Sequence, residues 1–247
     1  MKIKEKQEEV TAVAVQQETA VALKSETSFA IGGMTGEIDR GDLAMPKINI
    51  VQSVGPLSED FKPGSILYNK EIVLAKASDD PKEWTEPVEV TVLSTRKQYQ
   101  KVTDYDSDEQ GEIVDTMKEV EDRGGWIDWR NDEKPPWRTM LTALCLVKAP
   151  NEEIADRFAL AAPDGSSYEL ALWIMTGTSY TRAGKQIMTA GKYSLKNKET
   201  GMPELHKGVW NLQVRREKLG ANLVYVPKFV LKGRHDADFV EFAESLL

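Results

Sequence analysis

From Val88 the chain alternates, with Val88, Val90 and Val92 apolar and Glu89 and Thr91 polar, which is the period of a strand with one face in a core. Thr139 to Val147 is a continuous apolar run, suited to a strand buried on both faces. Phe158 to Ala162 and Tyr168 to Met175 flank Pro163-Asp164-Gly165-Ser166-Ser167, where Pro fixes φ and Gly accepts a left-handed position, so a hairpin is predicted. The spacing then changes. Tyr180, Ala183, Ile187 and Met188 fall three and four apart, predicting a short helix between Ser179 and Tyr193. Two more strands, Val209 to Arg216 and Leu223 to Lys232, are joined by a turn around Lys218-Leu219-Gly220-Ala221-Asn222.

The flanks behave differently. Residues 1–40 are rich in Glu, Gln, Lys, Ala, Thr and Val but poor in large apolar residues, and read as a disordered arm. Order begins near Gly41-Asp42-Leu43-Ala44-Met45-Pro46 and continues through an extended segment, Lys47-Ile48-Asn49-Ile50-Val51, packed on the main domain. A polar insertion runs from Asp104 to Pro136. The order of strand, long loop, strand, hairpin, helix, strand, strand predicts a mainly β (α+β) fold. It matches an oligonucleotide-binding (OB) barrel, which has five strands and a helix between the third and fourth. The expectation is a five- to six-stranded antiparallel OB-like barrel within a single domain at 41–235, followed by a tail at 236–247; a plain β-sandwich is the alternative.

Composition narrows the chemistry. The 247 residues are 40% apolar and carry 32 Lys and Arg against 40 Asp and Glu, a net charge of −8. No stretch approaches the roughly 18 apolar residues of a membrane span, and the charged start Met1 to Val10 is unlike a signal peptide, so a cytoplasmic protein without membrane contact is expected. One cysteine, Cys145, excludes an internal disulfide, and His206 and His235 do not complete a Cys/His zinc site. The glycine spacing from Ala183 to Tyr193 is wrong for a phosphate loop, and Gly177-Thr178-Ser179-Tyr180-Thr181 lacks the closing glycine of a nucleophile elbow. Neither an enzyme nor a cofactor or metal is expected.

Local charge is strongly segregated. Residues 176–235 hold twelve Lys or Arg against three Glu, whereas residues 104–133 hold three basic and twelve acidic residues. A cationic surface with interleaved aromatics suits single-stranded nucleic acid, because cations track phosphates while bases stack on rings at about 1 to 3 kcal/mol each. Lys97, Arg182, Lys185, Lys192, Arg215, Lys228 and Lys232 are the phosphate candidates; Tyr99, Trp137 and Trp173 are the stacking candidates. Trp173 enters by strand parity. Tyr168, Leu170, Leu172 and Ile174 form the apolar set of their strand, which places Trp173 on the opposite face with Glu169 and Ala171. Trp210 shares parity with Leu212 and Val214 and is assigned to the core, with Arg215 facing out.

The acidic insertion admits three readings. It is a solvated loop, or a calcium loop in which Asp104, Asp106, Asp108 and Asp115 take places one, three, five and twelve but Glu109 replaces the turn glycine, or a cover for the basic face that turns Trp126, Trp129 and Trp137 into contact residues. The tail repeats Phe239, Phe242 and Leu246 at helical spacing among acidic residues. It is either a helix docked on its own domain or a partner-recruiting segment.

Met45-Pro46-Lys47-Ile48-Asn49-Ile50-Val51-Gln52, Phe61-Lys62-Pro63-Gly64-Ser65-Ile66 and Thr176-Gly177-Thr178 resemble the OB-fold single-stranded-DNA-binding proteins encoded by tailed bacteriophages. The acidic, phenylalanine-bearing end is similar in character to the recruiting tails of bacterial single-strand-binding proteins, without their Pro-Phe ending. The resemblance implies a non-catalytic protein of phage-type DNA replication or recombination. Its expected partners are single-stranded DNA and, through the tail, replication or recombination proteins. The competing reading is a phage structural or assembly protein whose opposite charge blocks make subunit contacts.

Overall fold

A computed structural model describes residues 45–103 and 111–247. The arm expected at 1–40 and the insertion residues Asp104, Asp106, Asp108 and Glu109 lie outside them.

The chain opens with β1 (Ile48–Ile50), a single turn α1 (Leu57–Asp60), β2 (Ile66–Tyr68) and β3 (Ile72–Ala75). These three strands form a small antiparallel sheet in the order β1-β2-β3. Between the paired Tyr68 and Ile72, Asn69 and Lys70 both take positive φ, 50° and 62°, in a tight turn closed by the Glu71 N–H donating to the Tyr68 carbonyl at 3.1 Å. The long β4 (Val88–Lys101) follows, then β5 (Ile113–Val114), α2 (Met117–Asp122) and β6 (Trp137–Lys148). A capping box between Thr116 and Glu119 starts α2, satisfying two backbone donors at once. Next come α3 (Glu152–Ala155), β7 (Leu160–Ala161) and β8 (Ser167–Thr176). A helical segment follows, made of α4 (Gly177–Ser179), a π turn (Tyr180–Gly184) and α5 (Lys185–Tyr193). After a 3-10 turn (Leu205–Lys207), β9 (Gly208–Leu219) and β10 (Asn222–Arg234) form a hairpin, and α6 (Ala237–Glu244) ends the chain. Gly220 gives that hairpin its positive φ of 62°.

The larger sheet is antiparallel with the order β10-β9-β4-β6-β8-β7, and β5 pairs with β4. The six strands expected from the pattern correspond to β4, β6, β7, β8, β9 and β10, and the described residues hold four further strands. Among the described residues no ladder joins β8 to β10, so hydrogen bonding does not close the sheet into the expected barrel. Residues 46–52 cross this seam. The Leu172 N–H, on the edge of β8 away from β6, donates to the Pro46 carbonyl at 2.8 Å. At the other end the Gln52 amide donates to the Tyr225 carbonyl (3.0 Å) and accepts from the Tyr225 N–H (3.1 Å), engaging β10. Inside the seam, Trp173 of β8 meets Phe229 of β10 edge-to-face at 5.2 Å, and Phe229 stacks on Trp210 of β9 at 4.8 Å.

Two apolar clusters lie on opposite sides of β6. Leu141, Ala143, Cys145 and Val147 face the main one with Val88, Val90, Val92, Ile66 and Ile187. Leu146 faces the second one with Tyr168, Leu93, Phe239 and Ala243. Leu93 reaches that second cluster by simple alternation from Val92, and the β4–β6 register shift between Val92 and Ser94 then sets Ser94 opposite Leu144, on the same side.

This arrangement overturns the parity reading of β8. Ala171, Trp173 and Met175 are the residues pointing into the main core, with Trp173 2% exposed, while Leu170 and Tyr168 serve the second cluster. Both faces of β8 are covered from Tyr168 to Ala171, so neither had to be polar there, while Ile174 is 42% exposed on the outer face. The tail is also placed. Phe239 is buried, and Phe242 and Leu246 are half-buried against the same cluster. The Asp236 side chain caps α6 by accepting from the Phe239 N–H at 2.9 Å. A free recruiting segment presenting Phe239, Phe242 and Leu246 is therefore replaced by a docked helix, because these rings cover apolar surface that β6 and β8 leave open.

Trp173→Ala and Phe229→Ala are each expected to cost about 3–5 kcal/mol of folding stability, measured by denaturant unfolding. His235, at the junction of β10 and α6, lies 2.7 Å from the Thr91 hydroxyl and stacks on Phe239 at 3.7 Å. Burial holds its pKa below the ordinary 6.5, and the weaker pull of Glu89 and Asp236 in the other direction does not offset it. The unfolded chain therefore takes up this proton first as pH falls. The stability from neutral His235 is present above about pH 6.5 and is lost as pH drops through the lower folded value. The melting temperature is expected to fall between pH 7 and pH 5, with a shallower fall in His235→Gln.

Candidate nucleic-acid interface

The link between β3 and β4 runs beside β9. The Thr85 N–H donates to the Val214 carbonyl (2.9 Å), the Val214 N–H donates to Thr85 Oγ1 (3.1 Å), and Gln213 Nε2 donates to the Thr85 carbonyl (2.9 Å). These bonds anchor Trp84. Its ring has the Arg215 guanidinium 4.3 Å from its centroid and the Lys228 ammonium at 5.1 Å, both within cation–π range. Arg215 and Lys228 share this face because antiparallel pairing sets Arg215 opposite Val226 and Gln213 opposite Lys228.

Trp84, Arg215 and Lys228 line a groove of about 700 Å³ that follows β10 and is walled on its other side by the helical segment, including Arg182 and Gln186. Glu217 sits in its wall. One carboxylate oxygen accepts from Arg215 Nε (3.0 Å) and Nη2 (2.8 Å), and the other accepts from Arg182 Nη2 (2.9 Å).

A second groove of about 800 Å³ adjoins the first through the shared residues Thr181 and Arg182. It lies between the end of the acidic insertion, the start of the helical segment and the β9–β10 turn, with Trp129, Lys134, Arg138, Tyr180 and Lys185 among its lining. Trp129 is 68% exposed. A tight turn presents it, with Asn131 and Asp132 at positive φ and Arg130 bridged to Glu133.

Four of the expected phosphate residues thus come together: Arg182, Arg215 and Lys228 in the first groove, and Lys185 with Arg182 in the second. Lys97, Lys192 and Lys232 line neither. Lys97 lies over the Tyr99 ring at 5.2 Å, and the neighbouring phenol raises its pKa. Lys192 lies over the exposed Tyr193 beside a smaller hollow, and Lys232 is exposed farther along β10.

The expected stacking rings are covered. Tyr99 and Trp137 are 7% and 2% exposed in a small cluster with Val114 and Val120, and Trp173 is in the main core. Tyr99 and Trp137 are buried because the described part of the insertion folds back as β5 and α2, instead of remaining a solvated loop. Asp115, the twelfth place of the calcium reading, is held by Arg96 (2.7 Å) and Gln98 (2.9 Å), contacts that lower its pKa. Among the described residues, no group of three or more His, Cys, Asp or Glu is placed to hold a metal ion.

The pattern gave no weight to Trp84 and Arg138. The signal at Trp84 was a large aromatic in the polar run Lys82-Glu83-Trp84-Thr85-Glu86, where no core periodicity explains it.

Comparison with protein-family models, curated proteins and solved structures finds no match to the chain. No helix among the described residues is long and apolar enough to cross a membrane.

The tryptophans differ in access. Trp137, Trp173 and Trp210 are 2%, 2% and 1% exposed. Trp129→Phe is expected to remove the largest share of acrylamide-quenchable emission, measured by Stern–Volmer titration.

Proposed function

We propose that the protein binds single-stranded DNA without catalysis, along the two adjoining grooves. The observation that carries this reading is Trp84, flanked by Arg215 and Lys228 in a groove that continues past Arg182 to Lys185, Arg138 and the exposed Trp129. Cations spaced along a path receive successive phosphates, and rings at its two ends offer faces to unstacked bases. The fit is to single strands because each base must leave its partner to lie on an indole.

The scaffold reading is an OB-like barrel with an open seam. Its support is the order β10-β9-β4-β6-β8 of the five longest strands, with the helical segment between the third and fourth in sequence. OB barrels bind oligonucleotides through the connection of their first two strands and the loop of their last two. Here those connections supply Trp129 and Lys134 on one side and Leu219 on the other side of the second groove. The resemblance of residues 45–52 and 61–66 to phage single-strand-binding proteins supports a role in phage-type replication or recombination.

The test is a titration with labelled oligo-dT, following anisotropy and tryptophan emission at several salt concentrations, with duplex DNA and single-stranded RNA as competitors. Binding that weakens with salt and prefers single strands is expected. Trp84→Ala should weaken it about 5- to 150-fold, the range of one stacked base, and Lys228→Ala should reduce the salt slope by about 0.7. A flat salt response, or Trp84→Ala binding as well as wild type, would count against the groove. Assembly of the protein without nucleic acid would instead favour the structural reading.

A further inference from the structure

The carboxylate of Glu217 has the surroundings that a backbone phosphate needs. It takes two hydrogen bonds from Arg215 on one oxygen and one from Arg182 on the other. Its side chain is 18% exposed, against 49% for Arg182 and 37% for Arg215. Arginine forks receive carboxylate and phosphate with the same geometry. Arg182 is also where the two grooves meet, so this ion cluster stands on the path between Trp84 and Trp129.

Resting on the single-strand reading above, we propose that Glu217 is the specificity-determining residue of this path. Its carboxylate occupies a phosphate position and yields it only to a strand long enough to engage both grooves. The reason is effective concentration. An anion tethered beside its arginines competes as though present at millimolar concentration, so a free phosphate or mononucleotide, which offers one contact, does not displace it. An oligonucleotide brings stacking at Trp84 and further phosphates to Lys228, Lys185 and Arg138 in the same event. The surplus from those contacts releases Glu217. The ligand class is therefore an oligonucleotide strand rather than a nucleotide or inorganic phosphate.

The exchange has a second consequence. In the resting protein Glu217 already neutralises part of the Arg182 and Arg215 charge, so a phosphate arriving there exchanges one anion for another and adds little to the salt dependence. Removing the carboxylate makes that phosphate count.

The experiment compares wild type with Glu217→Gln, which keeps size and one acceptor, and checks folding by melting temperature. Both are titrated with dT oligonucleotides of three to twenty residues, with dTMP and with inorganic phosphate. Glu217→Gln is expected to bind long oligo-dT at least about fivefold more tightly, with a salt slope steeper by about 0.7, and to bind shorter strands than wild type does. Folded Glu217→Gln that binds equally or more weakly, with an unchanged length threshold, overturns the inference while the single-strand reading stands. That result would make Glu217 a residue that positions the two arginines. Failure of both proteins to bind any oligonucleotide at low salt overturns the reading and the inference together.

Discussion

The architecture depends on a seam. β8, whose outer edge carries only the two-residue β7, and β10 at the other end of the sheet leave backbone donors and acceptors with no ladder between them among the described residues. Unpaired edges are costly when buried and hazardous when exposed. The protein meets this constraint with three devices. Trp173, Phe229 and Trp210 fill the interior across the gap, residues 46–52 bridge it by backbone and side-chain bonds, and the helical segment stands off from β10 far enough to leave a groove. The proposed binding path thus follows from incomplete closure. A fully laddered barrel would bury the β10 edge that now forms a groove wall.

The same geometry explains how cations far apart in sequence meet. Arg215 and Lys228 come from paired strands and Arg182 from the helix between β8 and β9, while Trp84 is fixed by the bonds of Thr85 to β9. Glu217 lies two residues beyond Arg215 and so shares its face. Alternation along a strand dictates the positions, while the charge signs chosen there decide what the groove accepts.

Much of the fold was legible where one face of an element is core and the other is wet. Trp210 was placed correctly because Asn211, Gln213 and Arg215 mark the wet face of β9. Ala183 and Ile187 marked the buried side of the helix for the same reason. Trp173 was misplaced because β8 has no wet face over much of its length: α6 covers one side and the main core the other, so the larger aliphatic set was not the deeper one. The sheet of β1 to β3 escaped notice because its strands have three or four residues, too few to show a period, and its turn uses Asn69-Lys70 in place of a glycine. Half of the grouping in the candidate site came from counting charges. The rest, Trp84 above all, required the long-range pairing of residues 81–85 with β9, which no local pattern encodes.

The bond pair between Gln52 and Tyr225 also bears on self-association. Tyr225 turns its N–H and C=O away from β9, the arrangement by which an outermost strand templates the addition of another chain. A glutamine side chain, held within the same molecule, already fills both groups. An incoming strand would gain nothing at that point until it had dislodged this amide. At Tyr225 the β10 edge is thereby closed to sheet-to-sheet growth, whereas the proposed ligand would use rings and charges rather than peptide groups.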